Sequence, residues 1–551
     1  MDNQRLVLFI LFMFSVFMLY ESWQRETRPP VQPAPAVGAP AGSSQTAVPT
    51  PTQPLSAAPA TPSAAQPAPA GALQRGETVR VETDLLVADI NTSGGDLRRL
   101  ELLAHRDTVD RKKNFLLLQE AEHSYIAQAG LIGGALPNHR TKFTVTSSAV
   151  KLADGAQSVS VRLTAAEADG LKVTKVYTFH RARYEIDVGF EIENKSANAV
   201  TPDAYFQLVR DGKAPEGDSA MLPTFTGVAV YTEREKFLKL PFADIEKGKA
   251  SYPKKANDGW IAILQHYFLS AWLPKANAPR EYFVQRSESG LFSAGVILSA
   301  GTIEAGGTGS LFVPLYAGPQ EQDKLEALAP GLELTVDYGW LTIIAKPLFW
   351  FLQWLYHWVG NWGGAIILLT VAIKLVFYPL SAASYRSMAR MRLVAPKMQR
   401  LKEQFGDDRQ RMSQAMMELY RAEKINPLGG CLPVIVQIPV CIALYWVLLA
   451  SVELRQAPFM LWINDLSDPD PWFVLPTLMG ATMIFQTYLN PEPPDPVQAK
   501  IMKIMPIAFS IMFFFFPAGL VLYWLVNNIL SIAQQWQITH AMENAKPAHG
   551  K

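Results

Sequence analysis

The sequence predicts an α-helical polytopic membrane protein of six transmembrane helices that carries a large all-β domain outside the bilayer. Three observations lead there. Hydrophobic residues make up 49% of the 551 residues and charged residues only 18%, below the quarter usual in soluble domains. One apolar run of span length lies near the N-terminus, and five more follow residue 360. Between them, residues 75–334 have soluble composition and period-two alternation, the pattern of half-buried strands. The net charge of +1 offers no global attraction for nucleic acid. Cys431 and Cys441 share an apolar run and lack metal-ligand neighbours, so neither a disulfide scaffold nor a zinc site is expected.

Residues 1–28 are the first element. The run 6–20 is apolar apart from Ser15 and bulky with Phe9, Phe12, Phe14, Phe17 and Tyr20. No clean small-residue cleavage site follows it closely, which favours a retained anchor over a signal peptide. Residues 29–74 hold twelve prolines and no charge. Such a segment cannot bury a core and is expected to be a disordered tether. In the 75–334 domain, Tyr184, Ile186, Val188, Phe190 and Ile192 alternate with charged or small residues, residues 159–163 do likewise, and 78–90 are strand-like in part. Gly94-Gly95, Asp154-Gly155, Asp169-Gly170 and Asp211-Gly212 mark turns. Strands at this spacing predict a β-sandwich, followed by a short helix over 320–328. The histidines His105, His123, His139, His180 and His266 make no metal spacing and stand near no nucleophile motif.

Residues 345–359 place Trp350, Trp354 and Trp358 on one helix face, and Pro347 suits a first turn. The stretch is too short to cross a bilayer, so an amphipathic helix lying in the interface is expected; the start of one bent span is the alternative. Residues 361–381 are the second transmembrane helix. Residues 384–426 hold ten Lys/Arg against five acids and predict a basic helical hairpin broken at Gly406-Asp407-Asp408, with Asp408 as a cap and Met412, Ala415, Met416, Leu419 and Ala422 as one stripe. Pro396 is expected to kink or interrupt its first helix. Helices three to six are expected over 428–450, 472–489, 499–516 and 520–537, with loops over 451–471 and 490–498 and a tail over 538–551. Lys/Arg excess marks cytoplasmic loops, so the hairpin, both termini and 490–498 go inside, and the β domain and the acidic 451–471 loop go outside. The hairpin's charge serves this orientation; it also suits docking of lipid headgroups or ribosomal RNA.

The only charge within 361–381 is Lys374, seven residues from the cytoplasmic end, which is a depth of roughly 10 Å. Its stem covers part of that distance by snorkelling. The functional reading is that it lines a water-filled cavity in the inner leaflet, because intramembrane charges face such cavities or the bundle interior. Thr370 lies one turn deeper on the same face. Gln437, Gln486 and Asn527 are polar candidates on other helices.

Many stretches, in one order, now identify a resemblance: INTSGGD at 90–96, LTVDYGWL at 334–341, VGNWG at 359–363, YPLS at 378–381, SMARMR at 387–392, GDDRQR at 406–411, NPLGGCLP at 426–433, ASVELRQAPF at 450–459 and FPAGLVLYW at 516–524. The chain resembles the Gram-negative type of the YidC/oxidase-assembly family of membrane insertases over nearly its whole length; in the Pro/Ala tether only the character matches. The resemblance implies a β-supersandwich periplasmic domain and five core helices around a hydrophilic groove, closed outside and open to lipid and cytoplasm. It implies a bacterial inner-membrane insertase and chaperone, without enzymatic activity or cofactor. Its partners would be nascent membrane-protein clients, the Sec translocon with its accessory subunits, membrane lipids and, through the hairpin, the ribosome. Many family members have arginine where this chain has Lys374, and some have a Tyr-Tyr pair where it has Tyr523 and Trp524. The charge is therefore kept and the guanidinium fork lost. Lys374 carries over as groove charge, with Thr370, Tyr523 and Trp524 as client contacts. Arg386, Arg390, Arg392, Lys397, Arg400, Lys402, Arg409 and Arg411 carry over as a recruitment surface.

Two other classes compete. A proton-coupled transporter titrating Lys374 predicts inverted repeats, and none is readable. An enzyme in the β domain needs a catalytic acid/base pair in a cleft, and none is readable either. No phosphate-binding G-x-x-x-x-G-K-[ST] is present.

Overall fold

The computed structural model describes residues 48–49, 76–120, 123–133, 135–215, 224–405, 408–423, 432–489 and 496–544. The expected anchor over 1–28, and all of the tether but 48–49, lie outside the described residues, as does Cys431. The chain divides into two compact units, residues 33–336 and residues 337–551 with 1–32.

The first unit is two antiparallel-rich sheets of ten and nine strands. The alternation at 184–192 becomes the strand Glu185–Asn194, in which Ile186, Val188 and Phe190 are fully buried. That strand pairs antiparallel with Thr308–Pro319, setting Ile186 opposite Leu315 and Val188 opposite Val313. The sheets meet through large side chains: Phe206 of the ten-stranded sheet packs on Phe190 and Trp272 of the other, with ring centroids 6.2 and 5.2 Å away. The Asp169-Gly170 turn holds φ of 52° and 73°, as a two-residue type I′ hairpin requires. Helix Gln322–Leu328 follows the last strand, two residues inside the expected start.

The Gly94-Gly95 turn feeds a buried polar pair that joins the two sheets. Gly94 has φ of 82°, and a Cβ there would lie 2.4 Å from the His139 carbonyl oxygen. Asp96 opens one strand of the ten-stranded sheet, and Lys175 lies in the nine-stranded one. Both are wholly buried, with Lys175 Nζ 3.9 Å from Asp96 Oδ1. The ammonium also donates to the carbonyls of Ala129 at 2.7 Å and Gly94 at 3.1 Å. Asp96 Oδ2 accepts from Gln128 Nε2 at 2.9 Å, and Gln128 Oε1 accepts from Gln207. Burial pushes the Asp96 carboxyl up to about 6, against the pull of Lys175 and Arg98, and pushes Lys175 down to about 8.

The second unit is helical. Helix Thr342–Val359 starts three residues before expectation, so Pro347 sits inside it rather than in its first turn. Ala345, Phe349, Leu352 and Leu355 are buried, while Trp350, Trp354 and Trp358 are exposed. Asn361 caps the next helix, Trp362–Val376, by accepting from the Gly364 N–H at 2.9 Å. Its Nδ2 also donates to the Phe459 carbonyl at 2.9 Å, which ties the 451–473 segment to that cap.

Here the expected boundaries shift. The helix stops at Phe377, and a new one, Tyr378–Phe405, starts at an angle of 66°. Pro379 accounts for this: it has no N–H for the Leu375 carbonyl, and its ring clashes there, but it fits a first turn. The YPLS stretch therefore belongs to the basic hairpin's first helix, and that helix continues through Pro396 instead of breaking. Asp408 caps Arg409–Ala422 as expected, accepting from the N–H groups of Gln410 and Arg411. Among the described residues, the remaining α-helices of this unit are Leu432–Ala450, Val474–Leu489, Pro496–Phe513 and Ala518–Asn544.

Six single transmembrane helices are not what the described residues present. Among them no single helix is long and apolar enough to cross a membrane, and only the bent pair Trp362–Val376 with Tyr378–Met391 passes together. The Pro379 break divides one expected span. Val474–Leu489 has 16 residues, Lys500 and Lys503 dilute another helix, and polar residues dilute the second half of the last. The 451–473 segment is more built than an acidic loop. Asp470 accepts from the N–H groups of Trp472 and Leu475 and from the Trp462 indole at 2.9 Å, and the two tryptophans stack at 5.3 Å.

Candidate functional site

The helices after residue 377 line a half-open cavity of about 840 Å³. Helix Tyr378–Phe405 contributes Ser381, Ser384, Tyr385 and Met388, and Leu432–Ala450 contributes Gln437, Cys441 and Tyr445. Gln486 comes from Val474–Leu489, and Phe509 and Phe513 from Pro496–Phe513. Helix Ala518–Asn544 adds Trp524, Asn527, Asn528 and Ser531; Trp524, Asn527 and Ser531 fall at i, i+3 and i+7, one helix face. The lining is aromatic and aliphatic with hydroxyls and amides set into it, and it holds no charged side chain among the described residues.

Four of the seven expected site residues, Gln437, Gln486, Trp524 and Asn527, come together on this wall. Three do not line it. Thr370 is buried, and its hydroxyl bonds back to the Ile366 carbonyl at 2.7 Å. Tyr523 is buried behind the wall, with its hydroxyl 3.0 Å from Cys441 Sγ. Lys374 is only 4% exposed. Its ammonium donates to Ser531 Oγ at 2.7 Å, so the charge stands one side chain behind the cavity surface. Ser381, Ser384, Tyr385, Cys441, Tyr445 and Asn528 were not among the expected site residues, nor was Ser531. The signal for Ser531 was its position one turn after Asn527 in the polar end of the last run.

The basic hairpin is a separate feature. Arg386, Arg390, Lys397, Arg400 and Arg411 are exposed. Lys397 pairs with Glu423 at 2.6 Å across the two helices, and Arg411 pairs with Asp408 at 3.3 Å. The side chains of Arg392, Lys402 and Arg409 lie outside the described residues. No group of three or more His, Cys, Asp or Glu residues able to hold a metal occurs among the described residues.

Comparison with known proteins also divides the chain in two, at 351–354, within helix Thr342–Val359. Residues 78–351 match the family described as the YidC periplasmic domain, and residues 354–546 match the 60Kd inner membrane protein family. A protein of Nitrosospira multiformis named membrane protein insertase YidC is 55% identical, over 99% of this chain and 98% of its own length. One of the same name from Aromatoleum aromaticum is 56% identical over the full length of both. A solved structure described as an active YidC insertase with its first transmembrane domain resolved is 19% identical, covering 84% of this chain and 94% of its own, with a TM-score of 0.39.

Proposed function

The chain belongs to the YidC membrane protein insertase family, inner-membrane proteins with a periplasmic domain, and from that premise we propose that the cavity is the groove through which it inserts its clients. Insertion is a non-enzymatic function. In this reading the chain crosses the inner membrane six times with both termini in the cytoplasm. It acts alone or with the Sec translocon, and also as a chaperone. A client's polar segment enters the amide-studded cavity, drawn toward Lys374 when acidic, while its apolar helix leaves against the apolar helix faces. Burying that helix in lipid drives the step, at roughly 25 cal/mol per Å² of apolar surface, and the membrane potential favours export of negative charge. The exposed arginines and lysines of the hairpin recruit clients, the ribosome or anionic lipid.

The observation that carries this reading is the convergence of Gln437, Gln486, Trp524, Asn527 and Ser531 on one cavity with Lys374 hydrogen-bonded into its wall. The test is photo-crosslinking from positions 437, 486, 524 and 527 to a stalled nascent client, beside the activity of Lys374 variants. Crosslinks at all four positions are expected. Lys374→Gln and Lys374→Ala should slow insertion of acidic-tailed clients, and Lys374→Arg should not. Wild-type insertion by Lys374→Gln and Lys374→Ala would sink the groove charge.

A further inference from the structure

Lys374 meets the cavity only through another residue, and that residue is built for the task. Ser531 Oγ lies 2.7 Å from the lysine ammonium and donates its own proton to the Asn527 carbonyl at 2.8 Å. A serine hydroxyl has one donor and two acceptor sites. With its proton committed to the helix, Ser531 can only accept from Lys374. Tyr385 is a further hydrogen-bond partner of Ser531. The serine thus joins two helices, Tyr378–Phe405 and Ala518–Asn544, and its oxygen holds a cation carried by a third, Trp362–Val376. Among the described residues no carboxylate lies within ion-pair distance of Lys374, and Ser531 is its one hydrogen-bond acceptor. Ser531 lines the cavity; Lys374 does not.

We infer that Ser531 is a positioning residue that holds the Lys374 ammonium at the cavity wall and sets the preference for acidic client segments. The inference rests on the groove reading above and goes beyond it by naming the acceptor that the client's carboxylate replaces. A neutral hydroxyl suits this role because it releases the ammonium to a charged acceptor, the stronger partner. A carboxylate at position 531 would keep it. Threonine retains the accepting oxygen and alanine removes it.

The experiment uses the full chain in proteoliposomes. The probes are a single-span test protein whose translocated tail carries aspartates and the same protein with asparagines in their place, and insertion is read as protease protection of the tail. Ser531→Ala is expected to lower the acidic-to-neutral insertion ratio about threefold, the effect of losing one modest hydrogen bond. Ser531→Thr should keep the wild-type ratio. In a Lys374→Gln background, Ser531→Ala should change the ratio no further. An equal loss for both test proteins, a ratio unmoved by Ser531→Ala, or a further drop in the Lys374→Gln background would each overturn the assignment. The two readings separate cleanly: if Lys374→Gln itself leaves the ratio unchanged, the groove charge fails, whereas a drop with Lys374→Gln and none with Ser531→Ala removes Ser531 alone.

Discussion

Asp96→Asn should cost the β unit roughly 3–5 kcal/mol, because it leaves a buried ammonium without its counter-charge. The structure shows why the loss falls at the upper end of single substitutions. Lys175 and Asp96 are both wholly buried and 3.9 Å apart, a separation at which unit charges attract by about 4 kcal/mol in a medium of effective dielectric 20. After the substitution the ammonium keeps only the carbonyls of Ala129 and Gly94. Lys175→Met should cost a similar amount, since Asp96 Oδ1 already lacks a hydrogen-bond partner. The double variant should recover most of the loss, because removing both charges also removes the need to desolvate them. The assay is thermal unfolding of the purified full chain in detergent, followed by the β-sheet circular dichroism signal. Each single variant should melt about 6–20 °C lower, using roughly 2–4 °C per kcal/mol for a unit of this size. Simple additivity, with the double variant losing the sum of the two, would refute the claim that these residues act as a pair.

Two further outcomes follow from the same structure. Gly363→Ala should destabilise the helical unit by about 1–3 kcal/mol through overpacking, since a Cβ there would sit 2.1 Å from the Phe459 ring; detergent melts of Trp fluorescence would read this, and an unchanged melt would show that the 451–473 segment yields. Asp408→Ala should remove a cap of about 1 kcal/mol and raise amide hydrogen exchange in 409–415 while leaving residues 518–530 unchanged.

Much of the first unit was legible because a strand with one buried face prints a period of two. The alternation at 184–192 matches its strand, Glu185–Asn194, to within two residues at either end, and Asp169-Gly170 announced its turn. The inter-sheet pair was not legible: Asp96 and Lys175 are 79 positions apart in sequence, and nothing local distinguishes a buried lysine from a surface one. In the second unit Asp408 was readable as a cap because the signal is local. The end of the 362–376 helix was placed too late, although Pro379 carried the information, because the run's hydropathy continues past it. Of the two outcomes expected at Pro396, an interruption does not occur: its ring is exposed, and a helix tolerates one missing bond where the freed carbonyl can reach solvent. Gln437, Gln486 and Asn527 could be nominated only as polar residues in apolar runs, since their meeting depends on how three helices pack. Thr370 shares a face with Lys374, as the spacing demands, yet its hydroxyl satisfies its own backbone, a local choice that spacing does not reveal.

The bend at Phe377 has a mechanical side. Helix Tyr378–Phe405 runs 28 residues without interruption, about 40 Å from end to end. Its first turns carry cavity residues Ser381, Ser384, Tyr385 and Met388, and Arg390, Lys397 and Arg400 follow along the same rod. A swing of about 10° about the bend carries the far end through about 7 Å, while the cavity residues at Ser384 to Met388 travel only about 2 Å. Were the rod to pivot at that proline-seated corner, a load on its basic end would reach the cavity wall geared down in distance and multiplied in force.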